Sequence, residues 1–161
     1  MQRLPRSQSK SKRKTRAELT LRGRALRLLA RREHTRLELE RKLGPHVEDA
    51  AELAALLDDL TTRGWISEAR VVEQLVHAKR GRYGASRIRR LLLERGVSEA
   101  LIAPALAALK ADEVESARAV WRRKFTATPR NAAERARQVR FLQYRGFSID
   151  AAMRVVRGAD E

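Results

Sequence analysis

A chain of 161 residues with 36 Lys and Arg against 20 Asp and Glu carries a formal charge of +16, which favours polyanionic partners and makes their encounter steered and salt-sensitive. Helix formers dominate, β-branched residues are sparse, and aromatics are limited to three Phe, two Trp and two Tyr, so the expected fold is all-α with cores of Leu, Ala and Val. No apolar run reaches the ~20 residues of a transmembrane helix, no apolar leader opens the chain and cysteine is absent, so the expected compartment is a reducing cytoplasm.

Residues 1–16 carry seven Lys or Arg, no acid and no apolar periodicity. They read as a disordered tail that either adds non-specific phosphate contacts or serves only solubility. From there the chain reads as nine helices in three sets of three, over residues 17–66, 67–110 and 111–161. The first set is electrically balanced at nine basic against nine acidic residues, while the second carries nine against four and the third eleven against seven.

In the first set, a helix through "RGRALRLLARR" carries Leu26, Leu28 and Leu29. A second starts at Thr35, where "TRLE" puts Glu38 in place for a capping box, and ends at Gly44-Pro45. A third, "VEDAAELAALLDDLTTR", lines up Leu53, Leu56, Leu57 and Leu60 on one face. The second set runs "SEARVVEQLVHAKR", the loop "GRYG", "ASRIRRLLLER" and "SEALIAPALAALK", where Pro104 is expected to distort the last helix unless it starts late. The third set opens at Asp112 with Glu115 three residues on, and Val114, Ala117, Trp121 and Phe125 share a face. Its second helix, capped at Asn131 by "NAAE", ends in "RFLQYR" and projects Phe141, Leu142 and Tyr144 in three directions, as expected of a helix lying between neighbours. Its third, "SIDAAMRVVR", stops at Gly158.

One phrase recurs through these sets: "RGVSEALI" from Arg95, "RGFSIDAA" from Arg145, and the looser "RGWISEA" from Arg63. Glycine tolerates the positive φ of a helix C-terminal turn. The apolar residue after it (Trp65, Val97, Phe147) is placed to fold back on that turn. Ser67, Ser98 and Ser148 suit the next N-cap, and Glu68, Glu99 and Asp150 follow where the helix dipole favours acids. The phrase therefore writes helix stop, corner and helix start. Gly96 and Gly146 lie 50 residues apart and Gly44 lies 52 before Gly96, an internal repeat. Units of ~45–50 residues bury too little surface to stand alone, so stacking into an elongated body, with room for curvature, is expected.

Four stretches, "ALRLLARREHTRLELERKL" (25–43), "LTTRGWISEARVVEQLV" (60–76), "KRGRYGASRIRRLLLERGVSEALI" (79–102) and "RRKFTATPRNAAERARQVRFLQYRGFSIDAAMRVV" (122–156), together resemble the RecX family of regulators of the bacterial RecA recombinase. The most specific residues are Gly81, Tyr83, Gly84, Arg87 and Ile88 followed by Arg95-Gly96-Val97-Ser98, with Arg140-Phe141-Leu142 ahead of Arg145-Gly146-Phe147-Ser148. The resemblance spans residues 22–157 and implies three helix-turn-helix-like repeats of three helices. It also implies a protein that binds the RecA filament on single-stranded DNA, lies along its groove, and limits ATP hydrolysis, strand exchange and co-protease activity. After Trp65 the family usually has an acidic pair and an aromatic; here stand Ser67-Glu68 and Val71-Val72, which puts packing between the first two repeats in question. The tail lies outside the resemblance.

The densest candidate site is residues 79–90, with Lys79, Arg80, Arg82, Arg87, Arg89 and Arg90 and no acid. With Ile88, Leu91 and Leu92 inward, Arg87 and Arg90 point outward and Arg89 lies towards the apolar edge. The glycine-preceded helix start offers free N–H groups to a phosphate. This edge is expected to meet DNA phosphates or an acidic filament face; a merely solvated face is the alternative. Tyr83 either stacks on an exposed base or packs on a neighbouring helix. Arg122, Arg123 and Lys124 close the first helix of the third set, where positive charge is favourable in itself or serves as a second contact. Arg137 and Arg140 are similar, Arg140 lying near the Ala136 side with an internal partner in reach. His34, His46 and His77 lack metal-ligand spacing, and Trp65, Trp121, Phe141 and Phe147 read as core. No phosphate loop, Ser/His/Asp constellation or carboxylate pair stands out. The expectation is a non-enzymatic regulator without cofactor, whose partners are the RecA filament and single-stranded DNA. A sequence-tolerant DNA or RNA binder acting without RecA is the second reading, and a scaffold for an acidic protein the third.

Overall fold

The computed structural model describes residues 20–158. Among the described residues it holds nine α-helices and no strand: α1 Leu21–Arg31, α2 Arg36–Leu43, α3 Ala50–Thr62, α4 Glu68–Lys79, α5 Ala85–Glu94, α6 Glu99–Ala111, α7 Glu113–Lys124, α8 Ala132–Tyr144 and α9 Ile149–Arg157. The expectation of a disordered tail at residues 1–16 lies outside the described residues.

The helices form three triplets, each with its own core. Leu39, Leu43, Leu53, Leu57 and Leu60 close the first, joined by Ala25 and Ile66. Val71, Leu75, Ile88, Leu92, Ile102 and Leu106 fill the second. Trp121, Leu142, Phe147, Val155 and Val156 fill the third. The most extensive helix packings all fall inside a triplet. Each core is small, so the triplets depend on the joints between them for part of their burial.

The recurring phrase makes the same corner three times. Gly64, Gly96 and Gly146 have φ of 74°, 82° and 92°, and each corner carries the paired bonds of a Schellman motif. At Gly96 these are Gly96 N–H to the Leu93 carbonyl (2.9 Å) and Val97 N–H to the Leu92 carbonyl (3.1 Å). Val97 and Phe147 are buried as expected, but Trp65 is 48% exposed and Ile66 is buried in its place. The cause is the extra residue in "RGWIS": Trp65 still donates its N–H to Leu60, and Ile66 then takes the inward position. Gly44 departs from the series. Its φ is −49°, and it opens a short 3-10 turn with Pro45 and His46.

Caps follow the sequence at Thr35, where the capping box with Glu38 is complete, and at Ser67, Asn131 and Ser148. Asp112 does not cap with its side chain; it is at once the end of α6 and the start of α7. Ser98 makes no side-chain cap either. Its N–H instead donates to the Glu68 carboxylate at 3.0 Å, and in the third triplet Ser148 N–H donates to Glu113 at 2.8 Å. In the second and third triplets the first residue of the first helix thus holds the start of the third. Pro104 sits inside α6, which runs through it, and its ring is exposed, so the missing N–H falls on the solvent side.

Candidate nucleic-acid interface

The site grows out of the two joints, which are built alike. In each, the start of one triplet's middle helix receives the glycine corner that ends the next triplet's middle helix. At the first joint the Thr35 hydroxyl donates to the Arg95 carbonyl, and Arg41 donates to the Glu94 carbonyl at 3.1 Å. Leu37 lies so close to Gly96 that a Cβ there would overlap it. At the second joint Gly84 N–H donates to the Arg145 carbonyl at 2.9 Å and Ser86 N–H to the Gly146 carbonyl at 3.2 Å. Arg87 donates to the Tyr144 carbonyl at 3.2 Å. Glu94 and Tyr144 are the last residues of α5 and α8, so Arg41 and Arg87 do the same work. Each places a guanidinium on the free carbonyls at the negative end of a helix.

A buried carboxylate organises the first joint. Glu38 receives Arg32 through two contacts, of 2.8 and 3.3 Å, and the Thr35 N–H at 2.9 Å. Arg95 of the second triplet stands 3.7 Å away. Burial works against its charge, but the Arg32 hydrogen bonds, the Thr35 N–H and both guanidiniums outweigh it and hold Glu38 below the usual carboxylate value. His34, equally buried, faces the Arg32 carbonyl through Nδ1 at 3.0 Å and Lys42 through Nε2 at 3.3 Å. That places the ring proton on Nδ1 and leaves Nε2 to accept from the ammonium. Burial and the cations Arg32 and Lys42 hold His34 below its ordinary value, so the ring is neutral near pH 7.

The second joint gathers the cations singled out in the sequence. Lys79 ends α4 with its ammonium 5.9 Å from the centre of the Tyr83 ring. Arg80 and Arg82 are exposed in the following loop. Arg123 donates to the Gly81 carbonyl at 3.0 Å, so the end of α7 touches the 79–82 loop and two clusters far apart in sequence meet. Arg122 and Lys124 are exposed on the same last turn of α7; Lys124 faces a separate groove with Arg130 and Arg137.

Two expectations change here, and of the two readings of Tyr83 the packed one holds. Arg87 does not point outward: it is half-buried against the end of α8, with its guanidinium 4.6 Å from the Tyr83 ring centre and 5.2 Å from that of Tyr144. The stretch is not free of acids in space, because Arg90 pairs with Glu94 at 2.9 Å and Arg89 with Glu99. Both pairs are exposed and of small worth, and the Arg90 side chain remains 81% exposed. Tyr83 packs on the second core beneath the guanidiniums of Arg87 and Arg145, the latter 5.5 Å away, so its ring is occupied.

Two features escaped the sequence reading. Tyr144 was placed on a helix expected to lie between neighbours, but it is 74% exposed. The charge balance of residues 17–66 concealed a segregation: Arg24, Arg27 and Arg31 line one groove with Lys42 and His46, while the acids Glu48, Asp49, Glu52, Asp58 and Asp59 cluster on and just before α3. The three-to-four-residue spacing of those arginines was legible in "RGRALRLLAR". Among the described residues no three His, Asp or Glu are grouped to hold a metal ion, and no helix is long and apolar enough to cross a membrane.

Comparison with known proteins places this architecture. Residues 67–106 match the family model described as RecX, second three-helix domain, and residues 111–156 that of RecX, third three-helix domain. Regulatory protein RecX of Leptothrix cholodnii is 52% identical over 145 residues, covering 90% of this chain and 92% of the relative. That of Ralstonia pickettii is 44% identical over 146 residues, covering 91% and 92%. The crystal structure of RecX from Lactobacillus salivarius superposes with a TM-score of 0.72 at 20% identity, over 87% of this chain and 94% of that one, a likeness of fold. Three helical triplets in series, matched along most of their length by these regulators, make this chain a member of the RecX family of regulatory proteins.

Proposed function

We propose that this protein is a non-catalytic cytoplasmic regulator that binds the RecA filament on single-stranded DNA and restrains its ATP hydrolysis, strand exchange and co-protease activity. The observation that carries this reading is the reuse of one joint. An object that repeats the same joint advances along a screw, which is the geometry a body needs to follow the groove of a helical polymer. In this reading the units 17–66, 67–110 and 111–161 face successive parts of the filament, and the basic residues of 1–16 add phosphate contacts. Weak contacts to more than one protomer then multiply through effective concentration. The cations around the second joint, Arg80, Arg82, Arg90, Arg122 and Arg123, supply the attraction to a DNA-coated surface.

Titrating the protein into RecA turning over ATP on single-stranded DNA at low salt is expected to lower the hydrolysis rate to a plateau. An undiminished rate with folded protein overturns the proposal, and a clear preference for naked over RecA-coated strands replaces it with nucleic-acid binding alone. Arg90 offers a finer test, since its side chain is exposed and tied to nothing structural but Glu94. Arg90→Glu is expected to weaken filament binding several-fold while leaving thermal unfolding within a degree or two, and to reduce the slope of log affinity against log salt by about 1. An unchanged slope would remove Arg90 from the interface.

A further inference from the structure

Among the described residues Tyr144 is the most exposed of the large apolar side chains, ahead of Ile149, Trp65, Leu93 and Leu101. It is also the one whose posture is fixed from behind. Arg87 donates to the Tyr144 carbonyl and spreads its guanidinium over the ring, 5.2 Å from its centre. The same guanidinium rests on Tyr83, which packs on the second core. The order is core, Tyr83, Arg87, Tyr144, solvent.

The ring stands at the edge of a groove of about 530 Å³ at the second joint, lined also by Ser86, Arg87, Arg90, Leu91 and Glu94. The groove therefore brings Tyr144 of α8 and the exposed side chain of Arg90 of α5 into one lining. Arg90 is held by Glu94 in an exposed pair four residues apart, a contact weak enough for a phosphate to displace.

We propose that the solvent face of Tyr144 is a stacking platform for one unpaired base of single-stranded DNA, with Arg90 of the same groove on an adjoining phosphate. Every base has a π-face, so such a platform tolerates any sequence. The cation behind the ring holds it in place through its quadrupole, so little side-chain freedom is lost when a base arrives. Duplex DNA offers no free base face and is not a ligand for this platform. The inference deepens the DNA half of the function proposed above.

The test uses the full chain and bare oligonucleotides: a short oligothymidylate, and an abasic strand of the same length and charge. Tyr144→Ala is expected to lower affinity for the oligothymidylate about tenfold, the ~1.4 kcal/mol that lies within the range for one stacked base. It is expected to leave affinity for the abasic strand unchanged, and Tyr144→Phe is expected to keep both. In Tyr144→Trp the new indole is expected to be quenched by the oligothymidylate and not by the abasic strand. Equal losses on both strands, no loss on either, or no base-dependent quenching would overturn the platform. Weakened binding to RecA-coated strands with unchanged binding to the oligothymidylate would assign Tyr144 to a protein contact and overturn it as well. Since no RecA is present in the oligonucleotide arms, they fail or succeed independently of the filament ATPase titration.

Discussion

Gly84→Ala separates the second triplet from the third while leaving both cores whole. Gly84 has φ −80° and ψ 172°, a conformation alanine adopts without strain, so the backbone gives no reason for glycine. The reason is the neighbour: a Cβ on Gly84 runs into the carbonyl of Gly146, and main chain cannot yield as a flexible side chain can. The added methyl pushes the corner off the start of α5 and stretches the Gly84-to-Arg145 and Ser86-to-Gly146 bonds together. Overpacking of this kind costs about 1–3 kcal/mol, concentrated on one joint. Circular dichroism is expected to keep its helical signal. Small-angle scattering is expected to show a wider distribution of overall dimensions, and, under the function proposed above, half-inhibition of the RecA ATPase to move to at least tenfold more protein. Retention of full inhibition would show that the rigid spacing of the triplets is not what the filament responds to. Gly64→Ala is the informative comparison. That glycine has open space around it, and its substitution is expected to act through its positive φ alone, by about 1 kcal/mol.

Removing the carboxylate of Glu38 is expected to destabilise the first joint strongly. Glu38→Ala takes the partner from Arg32 and the nearby counter-charge from Arg95, and leaves Thr35 without its reciprocal cap. Stranding such charges costs about 3–5 kcal/mol when they are fully buried; both guanidiniums are partly exposed here, which reduces the figure to about 2–3 kcal/mol. Urea unfolding at pH 7 measures it. The pH dependence separates the components. Glu38 has a folded-state value below 4.5, so its contribution is complete above that value and is lost as pH falls through the lower, folded one. His34 has a folded-state value below 6.5. Its unfolded form takes up a proton first as pH falls past 6.5, so stability declines from there. The natural protein is therefore expected to lose stability on acidification in two stages, and Glu38→Ala to shrink only the more acidic one, part of which stays because Arg22 and Arg63 also hold Asp59 below its usual carboxylate value. An acidic stage of undiminished size would mean that Glu38 is not a titrating group in it.

What could be read in advance was local. Three glycine corners, the Thr35 box and the Asn131 cap each depend on residues within a few positions of one another, and each formed where the pattern lay. The pairing of Arg90 with Glu94 was also local, at helical spacing. The basic stretch ends at Arg90, one turn short of its partner, so its acid-free composition hides the pair. Trp65 was misplaced by a single inserted residue, which turns a side chain outward without altering the corner. The direction of Arg87 was of another kind. Nothing near Arg87 specifies that the end of α8 will lie against it, because that contact is created by main-chain groups of Arg145 and Gly146 meeting Gly84 and Ser86. Main-chain contacts leave almost no trace in side-chain chemistry, beyond a glycine where a methyl will not fit. Tyr144 was hidden for the same reason: its exposure depends on a joint and not on its own helix.

Gly44 gives the series an end. The partner surface of each joint is the left-handed glycine corner that ends a middle helix, and the first triplet's middle helix lacks one, because Gly44 stays right-handed and Pro45 stiffens the turn behind it. A second molecule therefore finds no matching corner at the end of that helix to seat against its own third triplet. Head-to-tail contacts of this type polymerise without limit when both halves are present on one subunit. Gly44 and Pro45 leave the first triplet's middle helix without the half that such a contact needs.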